Sequence, residues 1–177
     1  DDGKLVPYAT AAFEAYWGDD RDIGQEDVLA DIATRAGFDR QRFFTLLRRY
    51  PSMPVVLDHC LKPQIHGHPE GFQDWADGLS RLADDSFACV KFSALITEDR
   101  PEWSVDRLRP YADHIFDRFG AERVMWGSDW PVLTLVADHA AWGALTDRLL
   151  DDLNEAERTA ILGNTARRFY GLEGSDG

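Results

Sequence analysis

The sequence has few of the features that mark secreted, membrane or nucleic-acid-binding proteins. It contains two cysteines, Cys60 and Cys89, which form neither a CxxC motif nor a disulfide framework. No apolar run approaches the roughly 20 residues that cross a bilayer, and the first residues lack the basic and apolar regions of a signal peptide. The 32 acidic residues outnumber the 19 basic ones, which gives a formal net charge of −13. We therefore expect a cytoplasmic protein that binds neither nucleic acid nor membrane.

The residues that are present suit a folded domain. Hydrophobic residues make up 44% of the 177 residues and aromatic residues 12%, which is enough for an ordinary core. Both cysteines are then expected to be buried free thiols. Cys60 directly follows His59, which suggests a thiol–imidazole pair, but neighbouring residues of a strand point to opposite faces, so we set that pair aside.

Short apolar runs alternate with helical patterns after about residue 50. The runs begin at Val55, Cys89 and Val124, about 35 residues apart, and are predicted as the strands 55–58, 89–92 and 124–127. Helices are predicted between them at Phe72–Leu82 and at Tyr111–Phe119, the second opened by Pro110. Such alternation is typical of βα units with a parallel sheet, so the fold class is α/β.

The first 47 residues have a different pattern. Apolar residues at helical spacing, interrupted by glycines, predict helices there and no strand before Val55. The chain is therefore expected to consist of a helical N-terminal segment, residues 1–47, and an α/β domain, residues 48–174.

Two of the predicted strands end on a titratable side chain. The first runs into Asp58 and His59, and the third into Asp129. Because parallel sheets place ligands at the carboxyl ends of their strands, Asp129 is a candidate general base or metal ligand. Gly127 is expected to leave room beside it, and Trp130-Pro131 to hold it in place. The alternatives are a turn aspartate for Asp129 and an ordinary polar strand end for His59.

Two further features have a structural and a functional interpretation. Lys91 lies inside an apolar strand, where it is costly unless it is paired or borders a polar pocket, and the alternative is a side chain that snorkels to solvent. His66-Gly67-His68 has a spacing that metal sites use, but it lies in a Gly/Pro-rich stretch, which favours an exposed pair.

Four stretches together resemble the amidohydrolase-related hydrolases, in the group that contains sugar lactonases and 2-pyrone-4,6-dicarboxylate lactonase. They are "PVVLDHCLKP", "CVKFSAL", "RPYADHIFDRFGAERVMWGSDWPV" and "GNTARRFYGL", and the resemblance runs from about Arg48 to Leu172. It implies the last three βα units of a (β/α)8, TIM-type barrel, preceded here by the helical segment. It also implies a small-molecule substrate, a lactone or other cyclic ester.

The resemblance also implies roles for single residues. Asp129 would be the general base that activates water, and His59 would polarise or bind the substrate carbonyl. Lys91 and Trp130 would line the substrate pocket. Related enzymes use a divalent metal, zinc or manganese, with the same aspartate and histidine as ligands, whereas members of the lactonase group work without one.

The sequence also departs from the family's pattern. The family's first strand ends in a His-x-His pair, and no strand of that kind precedes Val55. Three parallel strands leave two sheet edges exposed, which allows a second hypothesis: a catalytically incomplete binding or assembly module that forms homo-oligomers through those edges. Residues 1–44 resemble the helical insertion of thioredoxin-like 2-hydroxychromene-2-carboxylate isomerases, so a third hypothesis is an isomerase remnant.

Overall fold

The computed structural model describes residues 48–50, 52–66, 71–99 and 103–172. The chain divides into two compact units, Asp1–Pro51 and Ser52–Gly177, and every strand and helix named below belongs to the second. The helical segment predicted for residues 1–47 lies outside the described residues, as does its resemblance to the isomerases. Its boundary with the α/β domain therefore stays a prediction.

Three strands form one parallel sheet in the order β1-β2-β3. They are β1 (Val56–Leu57), β2 (Cys89–Phe92) and β3 (Val124–Trp126). The α/β class and the three predicted strand positions agree with this sheet. β1 is one residue shorter at each end than predicted, and β3 ends one residue earlier, although Val55 and Gly127 still form backbone hydrogen bonds with β2.

Helices connect and follow the strands. They are α1 (Phe72–Asp85), α2 (Leu95–Asp99), α3 (Val105–Phe119), α4 (His139–Leu149), α5 (Glu155–Thr159) and α6 (Thr165–Phe169). A π-helical turn, Ala160–Asn164, joins α5 to α6. Short 3-10 segments lie at Ala121–Arg123 and Val132–Leu135, and a turn with non-helical backbone lies at Asp58–Leu61. Within the described part of the chain, none of the helices is both long and apolar enough to cross a lipid bilayer.

The prediction for the start of α3 was wrong. Pro110 was expected to be the first helical residue, but the helix begins at Val105 and Pro110 lies inside it. Ser104 is the N-cap and its side chain accepts a hydrogen bond from the backbone N–H of Arg107 at 3.3 Å. Pro110 lies beyond the first turn, so its ring fits the helical φ angle but it has no N–H to donate to the carbonyl of Asp106; its side chain is exposed to solvent.

The two faces of the sheet have different surroundings. Phe92 packs against Phe116 of α3 and Trp142 of α4, with ring centroids 5.0 and 5.6 Å apart. Trp126, its register partner on β3, donates a hydrogen bond to Thr146 of α4 at 2.9 Å. Because side chains alternate along a strand, Lys91 and its register partner Met125 belong to the opposite face. That second face carries the polar groups described next.

Candidate functional site

Each strand of the sheet runs into backbone of left-handed conformation at or just beyond its carboxyl end. His59 follows β1 with a φ of 50°, Ala94 follows β2 with a φ of 59°, and Asp129 follows β3 with a φ of 58°. Positive φ is uncommon for residues other than glycine, and such residues concentrate at functional sites. In the described backbone, the non-glycine residues with positive φ therefore lie at or just beyond the carboxyl edge of the sheet.

The turn after β1 is left-handed throughout. Cys60, Leu61 and Lys62 continue the positive φ of His59, and the N–H of Lys62 donates to the carbonyl of His59 at 2.8 Å. Trp75 of α1 donates from its indole to the carbonyl of Cys60 at 2.8 Å. These bonds satisfy backbone groups that the ladder no longer uses, so the main chain itself sets the direction of the His59 side chain.

His59 and Asp129 meet although their strands are not neighbours. β1 and β3 flank β2, so their backbones are about 9–10 Å apart, yet His59 Nε2 lies 3.7 Å from Asp129 Oδ1. That distance is longer than a hydrogen bond, which leaves both polar atoms able to bind a third group. The side chains are 33% and 12% exposed, so the carboxylate is the more enclosed of the two. The structure thus brings together the two residues predicted from the sequence.

Ser93 is a third member of the site that sequence analysis missed. It follows β2, is 2% exposed, and its Oγ lies 2.9 Å from His59 Nδ1. Strand alternation from Lys91 places Ser93 on the same face two residues later, at the carboxyl end of β2. That alternation was the available signal, but Ser93 lies beyond the apolar run, which ends at Phe92.

Gly127 lies against Ser93, and the predicted space beside Asp129 stays a prediction. A Cβ at Gly127 would lie 3.3 Å from Ser93 Cβ, so the serine occupies the room that the missing side chain leaves. The N–H of Gly127 donates to the carbonyl of Phe92 at 3.1 Å, and its carbonyl accepts from the indole of Trp142 at 2.9 Å. A larger residue at this position would crowd Ser93, because β2 and β3 approach closely here.

Lys91 is paired on the same face of the sheet. Its Nζ lies 2.8 Å from Asp58 Oδ1. The hydrogen bond with Asp58 raises the pKa of Lys91 and outweighs the lowering by burial, and Tyr170 raises it further. The ammonium group therefore stays charged and partnered, and it borders a polar cluster rather than simply snorkelling. The effect of Tyr170 on the pKa of Lys91 was not predicted from the sequence.

Trp130 does not join this cluster through packing. Its side chain is 70% exposed, and Val132 and Leu135 in the following 3-10 segment are 48% and 79% exposed. The turn itself is held by the backbone, since the N–H of Leu133 donates to the carbonyl of Asp129 at 3.0 Å. The role of Trp130 in lining a substrate pocket stays a prediction.

The prediction of buried free thiols is confirmed for Cys60 and Cys89. Cys60 is fully buried, and its thiol donates to the carbonyl of Lys91 at 3.3 Å. Burial raises the pKa of Cys60 to about 12, so the thiol is protonated and is not a nucleophile at neutral pH. This chemistry removes the thiol–imidazole pair from consideration.

The described residues supply two metal donors at this edge. His59 Nε2 and Asp129 Oδ1 could both bind a cation, but no group of three His, Cys, Asp or Glu side chains suited to a metal occurs in the described ranges. Zinc takes at least three protein ligands, so these donors alone do not fit a zinc centre. His66 is exposed, and Gly67 and His68 lie outside the described residues.

Comparison with known proteins gives the family. The amidohydrolase family model matches residues 39–172. An L-fucono-1,5-lactonase from Burkholderia ambifaria is 37% identical over 135 residues, which cover 73% of this chain and 46% of the relative. The chain thus spans about half the length of the curated relative it matches.

The fold agrees with solved structures of the same kind. An amidohydrolase from Burkholderia multivorans, crystallised with HEPES, superposes with a TM-score of 0.66 and 30% identity over 76% of this chain and 51% of that one. The same enzyme crystallised with zinc gives a TM-score of 0.66 and 27% identity over 93% and 56% of the two chains. The family model matches most of the sequence, and the parallel sheet agrees with the fold of these relatives. The chain belongs to the amidohydrolase family.

Proposed function

We propose that the chain carries the His59–Asp129 part of a hydrolase site that opens a lactone or another cyclic ester. The observation that carries the proposal is the 3.7 Å separation of His59 Nε2 and Asp129 Oδ1 at the carboxyl edge of a parallel sheet. A relative named L-fucono-1,5-lactonase supports a sugar lactone as the substrate class. We further propose that the three βα units are the last three of a (β/α)8 barrel.

The chemistry follows from the two polar atoms. Asp129 takes a proton from water as the water oxygen attacks the ester carbonyl carbon, and His59 Nε2–H donates to the carbonyl oxygen, which becomes negative. The ring C–O bond then breaks, and Asp129 returns the proton to the leaving alkoxide. The product is an open hydroxy acid, so one water is consumed and one acidic proton is released to solvent for each lactone.

A metal fits this site only with donors beyond those described. Zinc is bound in the Burkholderia multivorans relative, and here His59 and Asp129 would be two of its ligands. The present residues do not complete a coordination shell. The steps above are therefore assigned to this chain's own side chains.

The test is the rate of acid release from L-fucono-1,5-lactone, followed with a pH indicator. We expect Asp129→Asn to lower kcat by about 100-fold or more, the usual size of a lost general base. The matched control is Asp117→Asn, which makes the same chemical change on the exposed surface of α3 and should leave the rate unchanged. Equal rates for the wild type and Asp129→Asn would contradict the proposal.

A second candidate function is the binding or assembly module. It is favoured by the sheet order, because no other described strand pairs with the outer edge of β1 or of β3. If another copy completes the site, the activity per chain rises with protein concentration along with the oligomer measured by light scattering. A concentration-independent monomer would exclude assembly through these edges.

A further inference from the structure

We propose that Ser93 is a positioning residue that fixes His59 in the tautomer with the proton on Nε2. The hydroxyl donates to Nδ1, so that the Nε2–H points toward Asp129. The inference about the tautomer concerns the resting protein. Its catalytic consequence rests on the proposed function.

The direction of the Ser93–His59 hydrogen bond follows from the charge on the other side of the ring. A serine hydroxyl can donate or accept, so the 2.9 Å distance from Oγ to Nδ1 is compatible with either tautomer. The Asp129 carboxylate is an acceptor that faces Nε2 at 3.7 Å. A bare Nε2 lone pair opposite that negative charge is unfavourable, whereas an N–H there is attracted to it. Neutral His59 therefore carries its proton on Nε2, and Nδ1 must accept.

Burial makes serine the donor to Nδ1. Ser93 is 2% exposed, so water does not readily replace its hydroxyl. If Nδ1 had no donor, the protein would lose the free energy that one hydrogen bond to a partly buried group contributes. The single residue Ser93 thus decides whether the ring is held in this orientation or is free to rotate about its Cβ–Cγ bond.

The backbone and the Cβ of Ser93 are contacted from several sides. Gly127 lies against Ser93 Cβ, where an added methyl would approach to 3.3 Å. The Cys60 Sγ, whose thiol donates to Lys91, also lies 3.7 Å from the carbonyl oxygen of Ser93, and Ala94 follows in left-handed backbone. The buried Cys60 thiol thus contacts backbone carbonyls of Lys91 and Ser93, at the end of β2 that carries the serine. Because the backbone and Cβ of Ser93 are fixed, its hydroxyl is well placed to orient the His59 ring, which is what a carbonyl-binding N–H needs.

The first test is nitrogen NMR of the histidine rings in the full chain labelled with ¹⁵N-histidine, at a pH where the imidazole is neutral. His59→Gln identifies the His59 signals by their loss. We expect a protonated, pyrrole-type Nε2 and a hydrogen-bonded, pyridine-type Nδ1. In Ser93→Ala the Nδ1 signal should move toward that of an unbonded lone pair, and Ser93→Thr, which keeps the hydroxyl, should restore it.

The chain contains a matched control for this experiment. Ser80 Oγ lies 3.0 Å from Nε2 of His114, a second serine–histidine contact, between α1 and α3. Ser80→Ala should change the His114 signals and leave those of His59 in place. A proton on Nδ1 of His59 in the wild type would overturn the proposal, as would a Ser93→Ala spectrum with an unmoved Nδ1.

Kinetics test the catalytic consequence separately. If the chain hydrolyses lactones, Ser93→Ala should lower kcat by roughly two- to tenfold, as expected from one lost hydrogen bond, with KM little changed and with recovery in Ser93→Thr. A change in KM alone would overturn the positioning role. Absence of any hydrolysis would remove the proposed function, while the NMR result would still decide the tautomer.

Discussion

The carboxylate of Asp99 provides a sharp test of how burial determines the strength of an ion pair. Asp99 closes α2, directly beyond the Ser93–Ala94 strand end, and is 0% exposed. Arg107, in the first turn of α3, donates from Nε to both carboxylate oxygens at 2.9 Å and from Nη2 to Oδ1. Asp99→Asn keeps the shape of the side chain and removes its charge and one of its acceptors.

The size of the effect follows from the geometry. A hydrogen bond to a charged group contributes about 1.5–3 kcal/mol, and Asn can keep one oxygen facing the guanidinium. The Arg107 side chain is 42% exposed, so its charge stays solvated when its partner is lost. This exposure lowers the cost below the roughly 3–5 kcal/mol of a fully buried pair. We expect a loss of about 2 kcal/mol, or a fall in Tm of roughly 4–8 °C for a protein of this size.

The measurement is urea unfolding of Asp99→Asn beside a matched surface pair. Arg118 donates to both oxygens of Asp84 at 2.7 and 2.6 Å, also between two helices, but Asp84 is 64% exposed. Asp84→Asn should cost no more than about 1 kcal/mol, the usual limit for an exposed pair. Equal losses in the two variants would refute the reasoning from burial.

Two further predictions use the pKa directions. Because burial raises the pKa of Cys60 to about 12, iodoacetamide at pH 8 should leave Cys60 unmodified in the native chain and alkylate it in urea, as read by mass spectrometry; rapid native alkylation would contradict the burial. Burial also raises the pKa of Asp113 against the lowering by Arg109, with Asp152 and Asp151 raising it further. A raised carboxyl pKa means that the folded state binds the proton more tightly than the unfolded state, so this contribution to stability grows as pH falls through the folded pKa. Asp113→Asn should therefore increase Tm at pH 7, and the gain should shrink toward pH 3; a constant gain would contradict the charge argument.

Much of the sheet could be predicted from the sequence. β2 was predicted with its observed bounds because its apolar run stops abruptly at Ser93, and β1 and β3 were found within one residue at each end. The start of α3 was missed because Pro110 looks like a first helical residue, whereas the Ser104 cap six residues earlier is a weaker local signal. Propensity identified the elements, and the capping hydrogen bonds determined their ends.

The site was predicted in part. Strand-end position was enough to select His59 and Asp129, because the carboxyl ends of parallel strands share one edge. Their 3.7 Å approach across β2 could not be foreseen. Both residues have left-handed backbone, a conformation in which Asp and His are enriched but which is still too uncommon to be predicted for a given residue. Ser93 was missed because its function depends on the distance to another side chain and not on a motif.

The left-handed turn from His59 to Lys62 has a consequence for protein engineering. Four successive residues with φ between 49° and 59° aim the imidazole, so grafting the histidine alone onto another parallel α/β scaffold would leave the ring pointing elsewhere. A transplant needs the whole loop, with an indole donor at the position of Trp75 to tether it. Each such residue carries a conformational cost of roughly 1–3 kcal/mol, and a recipient scaffold must be stable enough to bear it.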